Sequence, residues 1–543
     1  MKKRPHIIIF NPDEMRWDTM GHMGNPAAST PFLDRFAETE AVSIDRCYCQ
    51  NPVCVPSRCS FATGLYPHVF GHRTMAHLLR PHEKSMFQEL REAGYYVWMN
   101  TRNDLAAGQY EGWIEAQADE IYHKQGLKNQ IFPEVSLEEE GNVGERWQEA
   151  GKEAGSYPYS FYTGLSEGKA DADIEDVWAA IERIKGIGEL DQPLCLFLGL
   201  LNPHPEYTCQ EPWFSRIDRE QVPDRIRPEE CEGKPYIEEL IRHYQELERL
   251  SEDAWTELRA TYLAQCAKID WLFEQLCNAL KEAGIYEDTA IFFFSDHGDF
   301  AGDYGLSEKA QNTFEDCLTR VPLLIKLPQG YPIEPGRRDT LAELVDFYAT
   351  AMELAGVEPT HDQFGVSLLP VLANKEASVR AYAHSEGGRM AWEWQSDEYH
   401  ADTADTVATS PENHYYPKQK AQSDPLGHTK GTMTTDGRYK YVHRTLGSPE
   451  FYDLEKDAGE RHNEINNPAY AKEIARFRLE LLDWYQSTCD IVPRDKDRRF
   501  SNSQLWNMVS KRCLPENEET VKRLIREGAA MGTIMAAAAK KAE

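Results

Sequence analysis

Cys54 opens the segment Cys54-Val55-Pro56-Ser57-Arg58, and a run of small residues follows it to Thr63-Gly64. A thiol, a rigid imino acid and a cation therefore fall within five consecutive residues. Pro56 fixes its own φ and restrains Val55, and Ser57 to Thr63 reads as the first turns of a helix. The unpaired N–H groups and positive end of that helix face whatever Cys54 faces. An anion placed there meets the helix terminus and Arg58 together. Taken alone, the string fits either a low-pKa thiolate or a buried Cys beside a turn.

Other reactive side chains come just after apolar runs. Asp13 and Glu14 follow Ile7 to Phe10, His204 follows Leu194 to Leu201, and Asp296 and His297 follow Ala290 to Phe294, with Lys309 shortly beyond. Carboxylates from two separate segments beside a His make a divalent-cation site. Arg58, His204 and Lys309 around such a site suit a tetrahedral oxyanion.

The elements that must position these residues alternate. Ile7–Phe10, Tyr95–Met99, Leu194–Leu201, Ala290–Phe294 and Val321–Leu327 read as strands, with Val42–Ile44 as an edge strand. Pro31–Glu38, Met86–Ala93, Ile174–Ile184, Leu258–Ala283 and Leu341–Ala355 read as helices. Strand–helix alternation with polar residues at strand ends predicts an α/β fold, a doubly wound, mostly parallel sheet with helices on both faces and a site along one edge. From about residue 380 short strands joined by turns replace that rhythm, and a helix over 471–487 closes them. The expected division is a catalytic domain over 1–380, a smaller α+β domain with an antiparallel sheet over 381–490, and a tail over 491–543 with a helical pattern from Glu518 to Ala539, either frayed or docking a second copy. Two excursions, 106–170 and 206–256, and the stretch 393–418 would shape the pocket, with Trp392, Trp394, Tyr399, Tyr415 and Tyr416 as stacking or packing aromatics.

At 543 residues the chain exceeds one ordinary core. Its net charge of -31 argues against nucleic acid or an anionic membrane surface as partner, and requires a locally basic pocket for an anionic substrate. Cys47, Cys49, Cys54 and Cys59 cluster without zinc-ribbon spacing. The apolar run Ile7–Phe10 is too short for a signal or a span, so the cytoplasm, with reduced thiols, is the expected compartment.

Cys54-Val55-Pro56-Ser57-Arg58 with Thr63-Gly64, an upstream Asp13, Pro203-His204-Pro205, Ser295-Asp296-His297-Gly298 and Lys309 together resemble the sulfatase family of the alkaline-phosphatase-like superfamily. The resemblance spans roughly residues 5–490 and includes Arg320-Val321-Pro322-Leu323, Gly365-Val366-Ser367-Leu368 and Phe451-Tyr452-Asp453-Leu454. It implies that Cys54 is oxidised to formylglycine by a separate maturation enzyme. The hydrated aldehyde would attack sulfur through one hydroxyl and expel sulfate through the other. It also implies that Asp13, Asp296 and His297, with Glu14 and residue 54, hold a divalent metal, calcium by family habit, with manganese open because of the His. Arg58 would orient the nucleophile, and His204 and Lys309 would bind sulfate oxygens and protonate the leaving oxygen.

Two positions depart from the family pattern. Arg102 and Asp104 stand where many members have Lys and His, so Arg102 is left as a substrate-binding cation of different geometry. Glu14 stands where Asp or Gln is usual. His72 and Arg73 are candidate pocket residues, a surface loop being the other reading. The expected function is hydrolysis of a small-molecule sulfate ester. The same scaffold admits a phosphonate monoester or phosphodiester hydrolase, and a metal-binding protein with an unmodified Cys54 is the third reading.

Overall fold

A computed structural model of the protein describes residues 4–125, 162–166, 172–393, 415–494 and 497–540. Its strands are β1 (His6–Asp13), β2 (Val42–Tyr48), β3 (Tyr96–Asn100), β4 (Glu120–Tyr122) and β5 (Tyr162–Leu165). They continue with β6 (Leu194–Pro203), β7 (Tyr207–Cys209), β8 (Thr289–Phe294), β9 (Arg320–Val321), β10 (Leu323–Lys326) and β11 (Gly336–Glu343). The last four are β12 (Ala383–Gly387), β13 (Gly431–Thr435), β14 (Tyr439–Arg444) and β15 (Glu450–Asp453).

The large sheet runs β11–β2–β10–β8–β1–β6–β3–β4, with β9 added on β2. It is mostly parallel; β10 runs antiparallel to both β8 and β2. β1 lies between β6 and β8, with Ile9 opposite Phe197 and Phe292, so the strands that end in Asp13, His204 and Asp296 are neighbours.

Side chains of β1 alternate between faces. Ile8 and Phe10 enter the core formed with α1 (Pro31–Thr39), α3 (Ala172–Lys185) and α4 (Glu252–Glu282), where Phe10 meets Phe273 at 5.1 Å. Ile7 and Ile9 enter the opposite core with α2 (Cys54–Thr63) and α5 (Leu344–Ala355), where Phe294 lies 5.1 Å from Phe61 and 4.7 Å from Phe347. Asp13 shares the parity of Ile7 and Ile9, which turns it toward α2. The doubly wound expectation is met.

Three local expectations are corrected. Val42–Ile44 is no edge: β2 is an inner strand between β11 and β10, and its Asp45 is paired by Arg337 of β11, whose guanidinium donates to both carboxylate oxygens at 3.0 and 2.9 Å. The helix expected from Leu341 starts at Leu344, because the charged run Gly336–Glu343 pairs with β2 as a strand. The strand Val321–Leu327 is broken at Pro322, which has no N–H for the ladder, into β9 and β10.

Residues to Ile491 form one compact unit that contains both the large sheet and the four-stranded antiparallel sheet β12–β13–β14–β15. The position 380/381 falls just before β12. The helix α6 (Ala471–Thr488) packs on the small sheet through Phe477 and Phe451. Val492–Glu543 form a second compact unit. There the pattern expected as one helix from Glu518 to Ala539 is two, Glu518–Glu527 and Met531–Ala539, separated at Gly528, whose φ of 86° ends the first. Much of 106–170 and of 393–418, with Trp394 and Tyr399, lies outside the described residues.

Candidate active site

All ten residues of α2 are buried, so this helix is a core element that places Cys54 in its first turn. Gly64 ends it at φ 70°, its N–H donating to the Ser60 carbonyl. The Ser57 hydroxyl donates to the Asp296 carbonyl at 2.6 Å and ties the helix to the turn after β8. Arg58 sits fully buried between the two strand ends. Its Nε donates to Asp296 Oδ2 at 2.7 Å, a terminal nitrogen donates to Asp13 Oδ2 at 2.9 Å, and another donates to the Arg102 carbonyl at 3.1 Å. Arg102 reaches the same Asp13 Oδ2 at 2.5 Å and donates to the Leu200 carbonyl at 3.2 Å.

With one oxygen of each carboxylate bound by arginine, the other faces inward. Asp13 Oδ1 lies 3.4 Å from Cys54 Sγ and 3.5 Å from His297 Nε2, and Cys54 Sγ lies 3.2 Å from the same ring nitrogen. His297 Nδ1 lies 2.9 Å from the Gly298 carbonyl, so the proton belongs on Nδ1 and the lone pair of Nε2 faces the cluster. Asp296 Oδ1 accepts from the N–H groups of His297 at 3.0 Å and Glu14 at 3.2 Å. One ligand atom from each of Asp13, Cys54, Asp296 and His297 lies within 4.8 Å of every other.

Electrostatics sharpen the geometry. Burial pushes the Asp13 carboxyl up, but the guanidiniums of Arg102 and Arg58 outweigh it and hold it well below the usual range. Burial pushes His297 down, which keeps it neutral and able to ligate. The Cys54 thiol is pushed well up by burial and then by Asp13. Arg58 is held by Asp13 and Asp296 rather than facing sulfur, which goes against the low-pKa thiolate reading. The donor set of two carboxylates, a neutral imidazole and residue 54 fits a hard or borderline divalent cation.

Glu14 belongs to the adjoining group. Its Oε2 accepts from Lys309 Nζ at 2.7 Å and lies 3.6 Å from His204 Nε2; Glu14, His204 and Glu308 form a second cluster of candidate ligands. The backbone of Glu14 has φ 70°, a left-handed conformation that costs a non-glycine residue about 1 kcal/mol or more. It is held there by its N–H on Asp296 and by Tyr262, whose hydroxyl donates to its carbonyl at 2.7 Å. Burial raises the Glu14 carboxyl against the pull of Lys309, and burial with Lys309 pushes His204 well down. His204 Nδ1 lies 2.6 Å from the Pro205 carbonyl.

Among the expected site residues, Asp13, Cys54, Arg58, Arg102, Asp296 and His297 converge directly, and Glu14, His204 and Lys309 lie beside them. His72 and Arg73 have other contacts. His72 is buried between Glu83, at 3.2 Å, and the His77 carbonyl, at 2.7 Å, while Arg73 pairs with Glu393. Several supporting residues are not legible in the sequence pattern. Ser295 Oγ accepts from the Met15 N–H at 2.7 Å and donates in the turn that carries Asp296. Lys418 meets Glu308 at 3.2 Å. Gly199 had a legible signal, a glycine inside an apolar strand, which marks close approach; a Cβ there would lie 2.2 Å from the Arg102 carbonyl and 3.3 Å from Arg58.

A buried strand-end cluster of two carboxylates, a neutral imidazole and a thiol on a doubly wound sheet is a candidate divalent-cation site, and residues 5–357 match the family described as Sulfatase. The chain belongs to the sulfatase family. It is 24% identical over 532 residues to "Arylsulfatase K" of Danio rerio, covering 90% of this chain and 89% of that protein. It is 29% identical over 319 residues to the "Multifunctional alkaline phosphatase superfamily protein PehA" of Trinickia caryophylli, covering 56% of this chain and 57% of that one. Its fold resembles the crystal structure of the phosphonate monoester hydrolase of Agrobacterium radiobacter, with a TM-score of 0.65 at 21% identity over 89% of this chain and 96% of the other.

Proposed function

We propose that the protein is a sulfuric ester hydrolase that cleaves a sulfate ester of a small organic or sugar alcohol, with formylglycine derived from Cys54 as nucleophile. The observation that carries the reading is the convergence of Asp13, Asp296 and His297 on Cys54, each carboxylate keeping one oxygen free of Arg58. Those four residues would hold the divalent ion, which when bound supplies Lewis acidity toward the nucleophile and the sulfuryl oxygens. Calcium suits the carboxylates; the imidazole keeps manganese in the comparison. Formylglycine supplies a hydroxyl that attacks and a second that releases the product.

The rest of the chemistry falls to the chain's own residues. Arg58 fixes both carboxylates and neutralises them. Arg102, whose side chain is 24% exposed, and Lys309, fully buried against Glu14, bracket the position of the sulfuryl oxygens with positive charge. His204 is anchored through Nδ1, which carries the ring proton toward the Pro205 carbonyl, and presents the Nε2 lone pair beside Glu14 Oε2; it serves the departing oxygen as an acid once Nε2 has taken up a proton from water. A separate maturation enzyme is the implied partner, and cytoplasmic residence the implied setting.

The test pairs an aryl sulfate with the matching aryl phosphonate monoester, using protein co-expressed with a formylglycine-generating enzyme and checked at Cys54 by peptide mass spectrometry. Preferential sulfate turnover is the expected result. Equal or better phosphonate turnover overturns the sulfatase reading, and a persistently unmodified Cys54 overturns the nucleophile.

A further inference from the structure

Between the loop that carries Lys309 and the small sheet, four basic side chains gather that the proposed chemistry at Cys54 does not use. Arg73 lies in the segment after α2, Arg389 follows β12, and His428 and Lys430 precede β13. Their supports are the segments that build the site. The Gln311 side chain, two residues beyond Lys309, donates to the Arg73 carbonyl at 2.8 Å, and its Oε1 lies 3.2 Å from His428 Nε2. The Glu386 N–H donates at 2.9 Å to the carbonyl of Gln50, four residues before Cys54. Gly387 and Gly388 allow this close fit: a Cβ on the first would lie 1.9 Å from the Gln311 carbonyl, and on the second 2.0 Å from that of Thr429.

Arg73, Arg389 and Lys430 are the cations of this group, and His428 is a neutral imidazole whose Nε2 proton faces Gln311. The ammonium of Lys430 is half-buried and, among the described residues, has no hydrogen bond or ion pair; it lies 5.7 Å from the centroid of the Tyr485 ring. Among the described residues Arg389 donates only to backbone carbonyls, those of Met390 at 3.4 Å, Glu393 at 3.1 Å and Gln422 at 3.2 Å, and its Nε is buried without a partner. His428 is buried with Nδ1 unpartnered. Burial and Arg389 push His428 down to about 3, and burial also lowers Lys430. Two carboxylates stand near. Glu386 is bound by His68, at 2.7 Å, and Glu393 occupies Arg73 while accepting from the Met390 N–H at 2.7 Å. Glu393 is thus a carboxylate of the chain itself seated on the cationic group. Three cations thus share two carboxylates that His68 and Arg73 already engage, and partly buried charges that lack a hydrogen-bonded partner cost free energy unless a ligand completes them.

We propose that Arg73, Arg389 and Lys430, beside the neutral His428, form a second anion subsite that takes a carboxylate or second sulfate borne by the leaving alcohol, while the scissile sulfate occupies the Cys54 cluster. This rests on the esterase reading of that cluster and narrows it to dianionic substrates. Glu393 holds the place of the second anion and yields Arg73 to it.

Lys430→Met is the decisive variant, since the ammonium makes no hydrogen bond or ion pair among the described residues and acts on Glu386 and Glu393 only at longer range. Rates are compared for two aryl sulfates matched in leaving-group acidity, one with a ring carboxylate and one without, and for a sugar monosulfate against its disulfate. The parent protein should favour the dianionic member of each pair by about tenfold or more in kcat/KM, through KM. Lys430→Met and Arg389→Met should erase that preference while leaving the singly charged substrate within about twofold, and Glu393→Gln should lower KM for the dianion alone. No preference in the parent, or equal loss on both substrates in Lys430→Met, overturns the subsite. The same pairs run as phosphonate monoesters separate the two readings: a second-anion preference seen only there keeps the subsite and removes the sulfatase. If no ester turns over, calorimetry with the same compounds replaces the rates, and equal affinity for singly and doubly charged members overturns the proposal.

Discussion

Around Arg58 and around Lys440 a buried cation is bracketed by two carboxylates, Asp13 and Asp296 at 2.9 and 2.7 Å in the first case, Asp316 and Glu460 both at 2.6 Å in the second. Residue types, burial and distances nearly match, yet the surroundings differ in what is left over. At Lys440 the remaining acceptors are consumed. Its ammonium also donates to the Phe314 carbonyl at 2.9 Å, the Asp316 N–H donates to Glu460 at 2.6 Å, and Arg320 stands 3.6 Å from the second oxygen of Asp316. At Arg58 the inward oxygen of Asp13 has only a thiol and an unprotonated imidazole nitrogen for company. A buried ion pair is therefore no mark of a site by itself. Acceptors aimed at one point with no cation among them are.

The largest expected effect separates the two clusters by chemistry. Cys54→Ala should abolish turnover while the melting temperature and circular dichroism stay close to those of the parent. Substantial residual activity would remove residue 54 from the mechanism. Next, Arg58→Lys keeps the charge but cannot reach both carboxylates and the Arg102 carbonyl, so kcat/KM should fall by about 10²–10³-fold. An unchanged rate would reduce Arg58 to a structural ion pair like Lys440.

Lys440→Met supplies the converse. It strands Asp316 and Glu460 in the interior, and breaking such a group costs about 3–5 kcal/mol. Activity at a temperature where the variant remains folded should stay within about threefold of the parent, because Lys440 has no contact with the Cys54 cluster among the described residues. Loss of activity without loss of stability, read by chemical denaturation beside steady-state rates, would erase the distinction between the clusters.

The sequence reveals the first cluster far better than the second for a physical reason. Asp13, His204 and Asp296 follow uninterrupted apolar runs, and in a doubly wound sheet the ends of such runs share an edge, so their convergence follows from the strand pattern alone. Arg58 was visible beside Cys54, although its partners were not: nothing local says that it faces carboxylates 45 and 238 residues away rather than sulfur. Lys440, Asp316 and Glu460 sit in ordinary-looking turns and an amphipathic strand, joined only by tertiary packing. The same limit hid β11, whose Arg337-Arg338-Asp339 reads as loop until Asp45 supplies the countercharge. It hid Lys418 and Lys430 too, lone lysines whose surroundings come from distant parts of the chain.

The smallest effect tests how far the second cluster is a set of interlocked protonation states. Beside Lys440, Lys234 binds Glu315; burial pushes Glu315 up, but that pairing outweighs it and leaves Glu315 at about 2, whereas burial raises Glu238 well above the usual range. Glu238 Oε1 and Glu315 Oε2 are both buried without a donor, as expected of two carboxyl groups that share one proton, with Glu238 protonated. The sign follows from linkage. A carboxyl raised in the folded state favours folding fully only below its unfolded value near 4.5, and that advantage declines as pH rises from there toward the folded value. Glu238→Gln keeps the shape and a donor but does not titrate. Its melting temperature relative to the parent should therefore rise steadily as pH is raised above about 4.5, with no change in kcat. For Glu315 the sign reverses: its contribution is present above 4.5 and fades as pH falls toward about 2. Glu315→Gln should accordingly be most damaging at neutral pH and converge on the parent in acid. Melting curves from pH 3 to 8 on both variants decide the matter, and parallel, pH-independent offsets would show that the two carboxyl groups do not share a proton.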